Sequence, residues 1–307
     1  MSPAKKAAMK AVAKRSSKRP AVLELDVRKT YKLYIGGAFP RSESGRSYPV
    51  FTTDRRFVAN AVLASRKDVR DAVKVARDAQ GSWANRSAYN RGQILYRVAE
   101  IMQGRRGQFV DELSVGGSRD PERETDAAID RWVWYAGWAD KYAQILGSAN
   151  PVDGPYFNFT TPEAAGVVAL VAPNDAPLLA LVSRMAPAIV AGNTIVALAS
   201  ERWPLVAVNL AEALATSDVP GGVVNILTGK AAELVPWMAG HADVNVVDLS
   251  GVSGELRADA ERRASDAVAR VVAASATERR WFDDRAESPY LIAGFCEYKT
   301  VWHPKGA

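Results

Sequence analysis

The chain has 307 residues, is 48% apolar, carries a formal net charge of +6 and contains one cysteine, Cys296. That length suggests about two domains, and a lone cysteine excludes an internal disulfide and fits a reducing compartment. No apolar run of about 18 residues argues for a helical membrane span, and two histidines with one cysteine leave no metal cluster at ligand spacing.

The charge is uneven. Residues 1–20 hold Lys5, Lys6, Lys10, Lys14, Arg15, Lys18 and Arg19 and no acid. Subtracting these seven from +6 leaves −1 for the remainder, a near-neutral globule behind a basic extension. Residues 1–22 are expected to be disordered and solubilising; contact with nucleic acid or an acidic partner is the alternative. No secretory-leader pattern opens the sequence, so a cytoplasmic location is expected.

Tyr31 to Ile35 alternates like a strand, Gly36-Gly37 reads as a turn, and Val58 to Leu63 is a further candidate strand. Ser65-Arg66-Lys67-Asp68 resembles a capping box with Asp in place of Glu. Val69, Ala72, Val73 and Ala76 follow at i, i+3, i+4 and i+7, which predicts an amphipathic helix. Ser87 opens another, with Ile94, Leu95, Val98, Ile101 and Met102 on one face. Gly104 and Gly107 weaken its continuation. A third helix is predicted from Pro121 to Ile145, where Trp134, Tyr135, Trp138 and Tyr142 form a stripe suited to a core. Residues 148–163 change character, and Pro155 to Thr161 is β-rich.

From Gly166 the pattern becomes regular. Apolar runs at Val167 to Ala172, Thr194 to Ala199, Val223 to Leu227 and Val244 to Leu249 alternate with helical segments at Leu178 to Val190, Pro204 to Ala215 and Ala231 to Ala239. Buried strands alternating with helices predict an α/β fold with a doubly wound, parallel, Rossmann-like sheet. Pattern alone leaves open another α/β sheet with no ligand. Ser253 to Ala274 reads as one long helix, residues 275–288 as loop, and the end as strand.

Several blocks here resemble the aldehyde dehydrogenase superfamily. They are Gly166 to Pro177, Pro187 to Thr194, Ser200-Glu201 with Pro204, and Pro220 to Gly229. Leu33 to Gly37 and Tyr48-Pro49-Val50 are similar to the family's opening hairpin, and Ser288 to Pro304 to its carboxyl-terminal strand. The resemblance implies a helical and hairpin part over 23–147, an oligomerisation arm strand over 148–163, the sheet over 164–275 and a second arm strand over 276–307. Between residues 251 and 288 the family carries a whole catalytic domain; here a predicted helix and a loop fill the interval.

The family's chemistry needs a thiol nucleophile, a water-activating carboxylate and an oxyanion donor. Neither the Gly-Gln-x-Cys nor the Glu-Leu-Gly-Gly context of the family occurs in this sequence. Cys296 sits between Phe295 and Glu297 in the arm-like end, so no catalytic residue is assigned. Asp175 fills the position of the family's oxyanion-donating Asn, and an ionised Asp only accepts. By the resemblance, the positions facing a dinucleotide are Pro173, Asn174, Ser200, Glu201, Gly229 and Gly251, vestiges of a cofactor site in which Leu198 replaces a ribose-binding Lys. NAD or NADP is thus possible but not expected. The expected role is a non-catalytic subunit of a full-length aldehyde dehydrogenase, or a self-associating chain, joined through the arm. It is similar in this to the degenerate second module of two-module aldehyde dehydrogenases. The alternatives are an NAD(P)-dependent oxidoreductase with residual or altered activity on an aldehyde, and a binder acting through the basic extension.

Overall fold

The computed structural model describes residues 29–276 and 278–306, so the basic extension expected over residues 1–22 lies outside the described residues. The centre is a five-stranded parallel sheet of β6 (Val167–Val171), β7 (Thr194–Leu198), β8 (Val224–Leu227), β9 (Val246–Asp248) and β10 (Arg270–Val272), in the order β10-β9-β6-β7-β8. Every residue of β6 and β7 is buried, as both faces of the sheet are covered. Val168, Leu170, Ile195 and Ala197 face one apolar cluster; Val167, Ala169, Val171, Val196 and Leu198 face the other. Helices α6 (Leu179–Val190) and α7 (Leu205–Ala215) lie in the first layer. Helices α1 (Arg66–Ala84), α8 (Ala231–Ala239) and α9 (Gly254–Asp266) lie in the second.

The amino-terminal elements thicken these layers. Strands β1 (Thr30–Tyr31), β2 (Ser47–Phe51) and β3 (Phe57–Val62) form a small sheet in the order β1-β3-β2. The capping box that opens α1 is formed: Asp68 accepts from Ser65 N at 2.7 Å, and the Ser65 hydroxyl accepts from Asp68 N. Helices α2 (Ala88–Gly104), α3 (Arg106–Val115) and α4 (Pro121–Trp138) pack over α6 and α7. The aromatic stripe is core: Tyr135 and Tyr142 are buried, and Trp134 and Trp138 pack against the main cluster.

Strands β4 (Ser148–Asn150), β5 (Tyr156–Ala164) and β11 (Cys296–Pro304) make a separate antiparallel sheet in the order β11-β5-β4. The β5–β11 register runs without a break from Ala164 opposite Cys296 to Tyr156 opposite Pro304. Tyr156, Phe157, Tyr298 and Trp302 of this sheet are exposed.

Four expectations are corrected. The helix expected to reach Ile145 ends at Trp138 and restarts as α5 (Tyr142–Leu146). Ala139 N and Lys141 N turn to carbonyls three residues back, and Lys141 Nζ takes Gly137 O at 2.8 Å. The helix expected over Ser253 to Ala274 stops at Asp266. Val268 takes a left-handed φ of 58°, Ala269 N bonds Ala264 O, and the chain reverses into β10, a fifth strand that the sequence reading missed. Short β-branched segments gain their stability from a neighbouring strand rather than from local pattern. Residues 290–293 are helical (α10, Tyr290–Ala293) rather than strand, since Pro289 has a φ suited to a helix start. The strand expected over Tyr31 to Ile35 is confined to Thr30–Tyr31, and Tyr34 instead bridges to Ile226 of β8.

Candidate functional site

Strand order reverses between β6 and β9, and a doubly wound sheet opens its binding crevice at such a point, at the carboxyl ends of the strands. Here that point lies between the segment after β6, Pro173 to Pro177, and the segment after β9, Leu249 to Ser253. Gly251 N donates to Val171 O at 3.0 Å, so the two strand ends touch. A Cβ on Gly251 would lie 2.3 Å from Ala172 O, which is why glycine stands there.

Pro173 is buried and turns the chain out of β6, leaving Asn174 and Asp175 exposed. The Asn174 side-chain oxygen accepts from Ser200 Oγ at 2.8 Å and Arg202 N at 3.2 Å. The Ser200 hydroxyl in turn accepts from Trp203 N. Asn174 and Ser200 therefore tie the β6 and β7 exits together. Glu201 accepts from Lys230 Nζ at 2.8 Å and from Ala231 N at 3.0 Å, where it satisfies the start of α8. Partial burial pushes the Glu201 carboxyl up, but the bonds from Lys230 and Ala231 and the Lys230 charge hold it below its usual value. Gly229 precedes Lys230 in the same turn. Lys230 Nζ also lies 5.2 Å from the ring of buried Tyr48, whose hydroxyl has no hydrogen-bond partner among the described residues.

Asp175 accepts from Trp281 Nε1 at 2.9 Å. Trp281 belongs to a strap, residues 274–276 and 278–287, that crosses the switch point. Ala274 N donates to Ser250 Oγ at 2.8 Å and Arg279 to Ser250 O at 2.6 Å. Arg131 of α4 anchors the strap's far end by donating to Trp281 O, Ala286 O and Glu287. Beneath it, Arg184 of α6 pairs with fully buried Asp248 of β9 at 2.7 Å and reaches Glu278 at 3.2 Å. A buried pair of this kind holds only when its remaining polar atoms are satisfied; Asp248 also accepts from Ser250 N. Cys296 lies apart, at the start of β11. It is fully buried, its thiol donates to Ile292 O, and burial pushes it up to about 12.

Of the six positions expected to face a dinucleotide, Pro173, Asn174, Ser200 and Gly251 gather at the strand ends, while Glu201 and Gly229 sit with α8. The start of α9 suits a phosphate: Ser253 makes no side-chain cap and a Cβ on Gly254 would meet nothing within 4 Å, so the first backbone N–H groups have no partner among the described residues. The other end does not suit a ribose. Leu198 is buried and cannot donate, and the Glu201 carboxylate is already engaged by Lys230 and the α8 start. The residues present therefore do not fit a whole dinucleotide. Lys230, Arg184, Asp248, Arg279 and Trp281 escaped the sequence reading. Only Lys230, beside Gly229 at a helix start, carried a local signal.

The profile of the Aldehyde dehydrogenase family matches residues 41–276. The chain is 33% identical over 229 residues to Aldehyde dehydrogenase, cytosolic 1, of Elephantulus edwardii, covering 72% of this chain and 45% of that protein. It is 32% identical over 228 residues to human Retinal dehydrogenase 2, covering 72% and 43%. Among solved structures, HpcC from Thermus thermophilus superposes with a TM-score of 0.75 at 27% identity, covering 80% of this chain and 48% of that one. An aldehyde dehydrogenase from Bacillus cereus in complex with NAD+ superposes with a TM-score of 0.73 at 25% identity, covering 80% and 50%. The chain thus spans about half the length of the curated relatives it matches.

Proposed function

The chain belongs to the aldehyde dehydrogenase family, and from that premise we propose that it is a non-catalytic subunit that docks through its arm. The partner is a full-length aldehyde dehydrogenase or a second copy of the chain. The observation that carries this reading is the unbroken register between β5 and β11, which flank in sequence the sheet and the strap. The two strands assigned to the arm pair along their whole length, yet the position where the family has an oxyanion donor is an Asp bound to a Trp, and the one thiol is buried away from the crevice. A nine-residue outer strand, β11, bearing exposed aromatics is a template for another strand.

The mass of the purified particle, alone and after co-expression with a full-length aldehyde dehydrogenase of its host, tests this. A homo-oligomer or a stoichiometric complex is expected, and Val301→Pro in β11 is expected to dissolve it. A monomer under both conditions overturns the reading.

A residual NAD(P)-dependent oxidoreductase is the second reading, favoured by the uncapped start of α9 and by the unpartnered Tyr48 hydroxyl beside Lys230. Calorimetric titration with NAD and NADP decides it: submillimolar binding supports it, and none removes it. Among the described residues, no helix is long and apolar enough to cross a membrane.

A further inference from the structure

Between the Asn174 to Pro177 turn and the segment joining α3 to α4 lies a cavity of about 470 Å3, a size that suits a small organic ligand. Leu113, Trp203 and Phe282 give it apolar walls, and Arg119, Arg123 and Arg202 line it with cations. Trp203 is 3% exposed, and its indole Nε1 has no hydrogen-bond partner among the described residues. Burying such a donor unpaired is costly. Gly116 lines the same cavity, and a Cβ on it would lie 2.6 Å from Trp203 Nε1. The indole therefore packs directly on the Gly116 backbone, and only glycine fits beside it.

The acids around the cavity are already engaged. Asp120 accepts from Arg123 N at 3.1 Å and caps α4. Glu124 accepts from Leu178 N at 3.0 Å and from Ser118 Oγ at 2.8 Å. Asp175 accepts from Trp281. Burial pushes the Glu124 carboxyl up, despite these bonds, and neighbouring Asp175 pushes the same way. The cations are freer. The Arg123 guanidinium lies 4.9 Å from the Phe282 ring centre, and the side chains of Arg119 and Arg202 make no hydrogen bond or ion pair among the described residues.

We propose that this cavity binds a small organic anion, with its carboxylate at the guanidiniums of Arg119 and Arg202 and its apolar body between Leu113, Trp203 and Phe282. A planar guanidinium matches a carboxylate better than a point charge does, and the walls select a ligand with a hydrocarbon portion over a bare inorganic ion. The site is independent of the arm, so its presence does not bear on docking.

Calorimetric titration of the full chain with hexanoate, hexanamide and inorganic phosphate tests this. Hexanoate is expected to bind at least about tenfold more tightly than hexanamide, the loss expected when charge-assisted hydrogen bonds become neutral. Phosphate is expected to bind more weakly than hexanoate. The double variant Arg119→Gln/Arg202→Gln is expected to lose a similar factor for hexanoate with its urea midpoint unchanged, because both side chains are exposed. Trp203→Phe is expected to weaken hexanoate less than the double variant does. Equal binding of hexanoate and hexanamide, no binding of hexanoate at millimolar concentration, unchanged binding by the double variant, or phosphate binding as tightly as hexanoate overturns the proposal.

Discussion

The indole of Trp281 donates a 2.9 Å hydrogen bond to Asp175, and this contact joins the strap that stands between β10 and the arm to the first turn after β6. Trp281 is 4% exposed and packs into the main core. The bond explains why a carboxylate is tolerated at the mouth of the sheet: it has a donor. At a position where the family pattern has a donor to the ligand, the side chain here accepts from the protein itself.

Trp281→Phe should therefore loosen the strap without unfolding the sheet. Loss of the bond and of part of the ring is expected to cost about 1–3 kcal/mol. Urea denaturation measures the loss, and limited proteolysis should cut within residues 278–285 faster than in the parent.

Asp175→Asn restores an amide at the position where the family pattern has one. Because the remaining groups are engaged elsewhere, we expect no aldehyde-dependent reduction of NAD by the variant, and a stability change within about 1 kcal/mol, as the amide oxygen still accepts from Trp281. Cofactor reduction with a panel of aliphatic aldehydes checks this; measurable turnover would show that one donor was the missing element.

Arg184→Met leaves Asp248 buried without its partner. Breaking a buried pair by removing one member is expected to cost about 3–5 kcal/mol, read as a large fall in the urea midpoint. Replacing both, as Arg184→Met/Asp248→Leu, should recover part of that loss, because the unpaired charge is gone.

Glu112 of α3 accepts from Tyr31 at 2.8 Å and also from Asn209 of α7. Burial raises it from 4.5 to about 7, with Glu212 adding to the rise and Tyr31, Lys29 and Arg105 opposing it. Between those values the folded chain keeps a proton that the unfolded chain has lost. This group's contribution is therefore full below about 4.5 and is lost as pH rises through about 7. Glu112→Gln should flatten the fall in stability between pH 5 and pH 7.5, measured by urea denaturation at both.

Cys296 should stay unmodified by a disulfide reagent in the native chain and react fully in denaturant, since its thiol is buried and its pKa is raised to about 12. Rapid native reaction would mean that the start of β11 opens in solution.

The alternation of buried strands and helices from Val167 to Leu249 was legible in the sequence because both faces of each strand are covered, so the apolar runs are continuous. The capping box at Ser65 was legible because its partners are three residues apart. The block resemblance anticipated strands before and after the sheet, where β5 and β11 lie. What escaped was set by partners distant in sequence. Strand β10 is three residues long and exists through its pairing with β9. Lys230 reaches Glu201 across 29 positions, and Trp281 reaches Asp175 across 106. Local propensity and periodicity are properties of neighbours along the chain, so they decided where the strands and helices lie. Which carboxylate is spent on which donor is decided only when the layers close, because a hydrogen bond needs two groups within about 3 Å of each other, wherever the chain has brought them from.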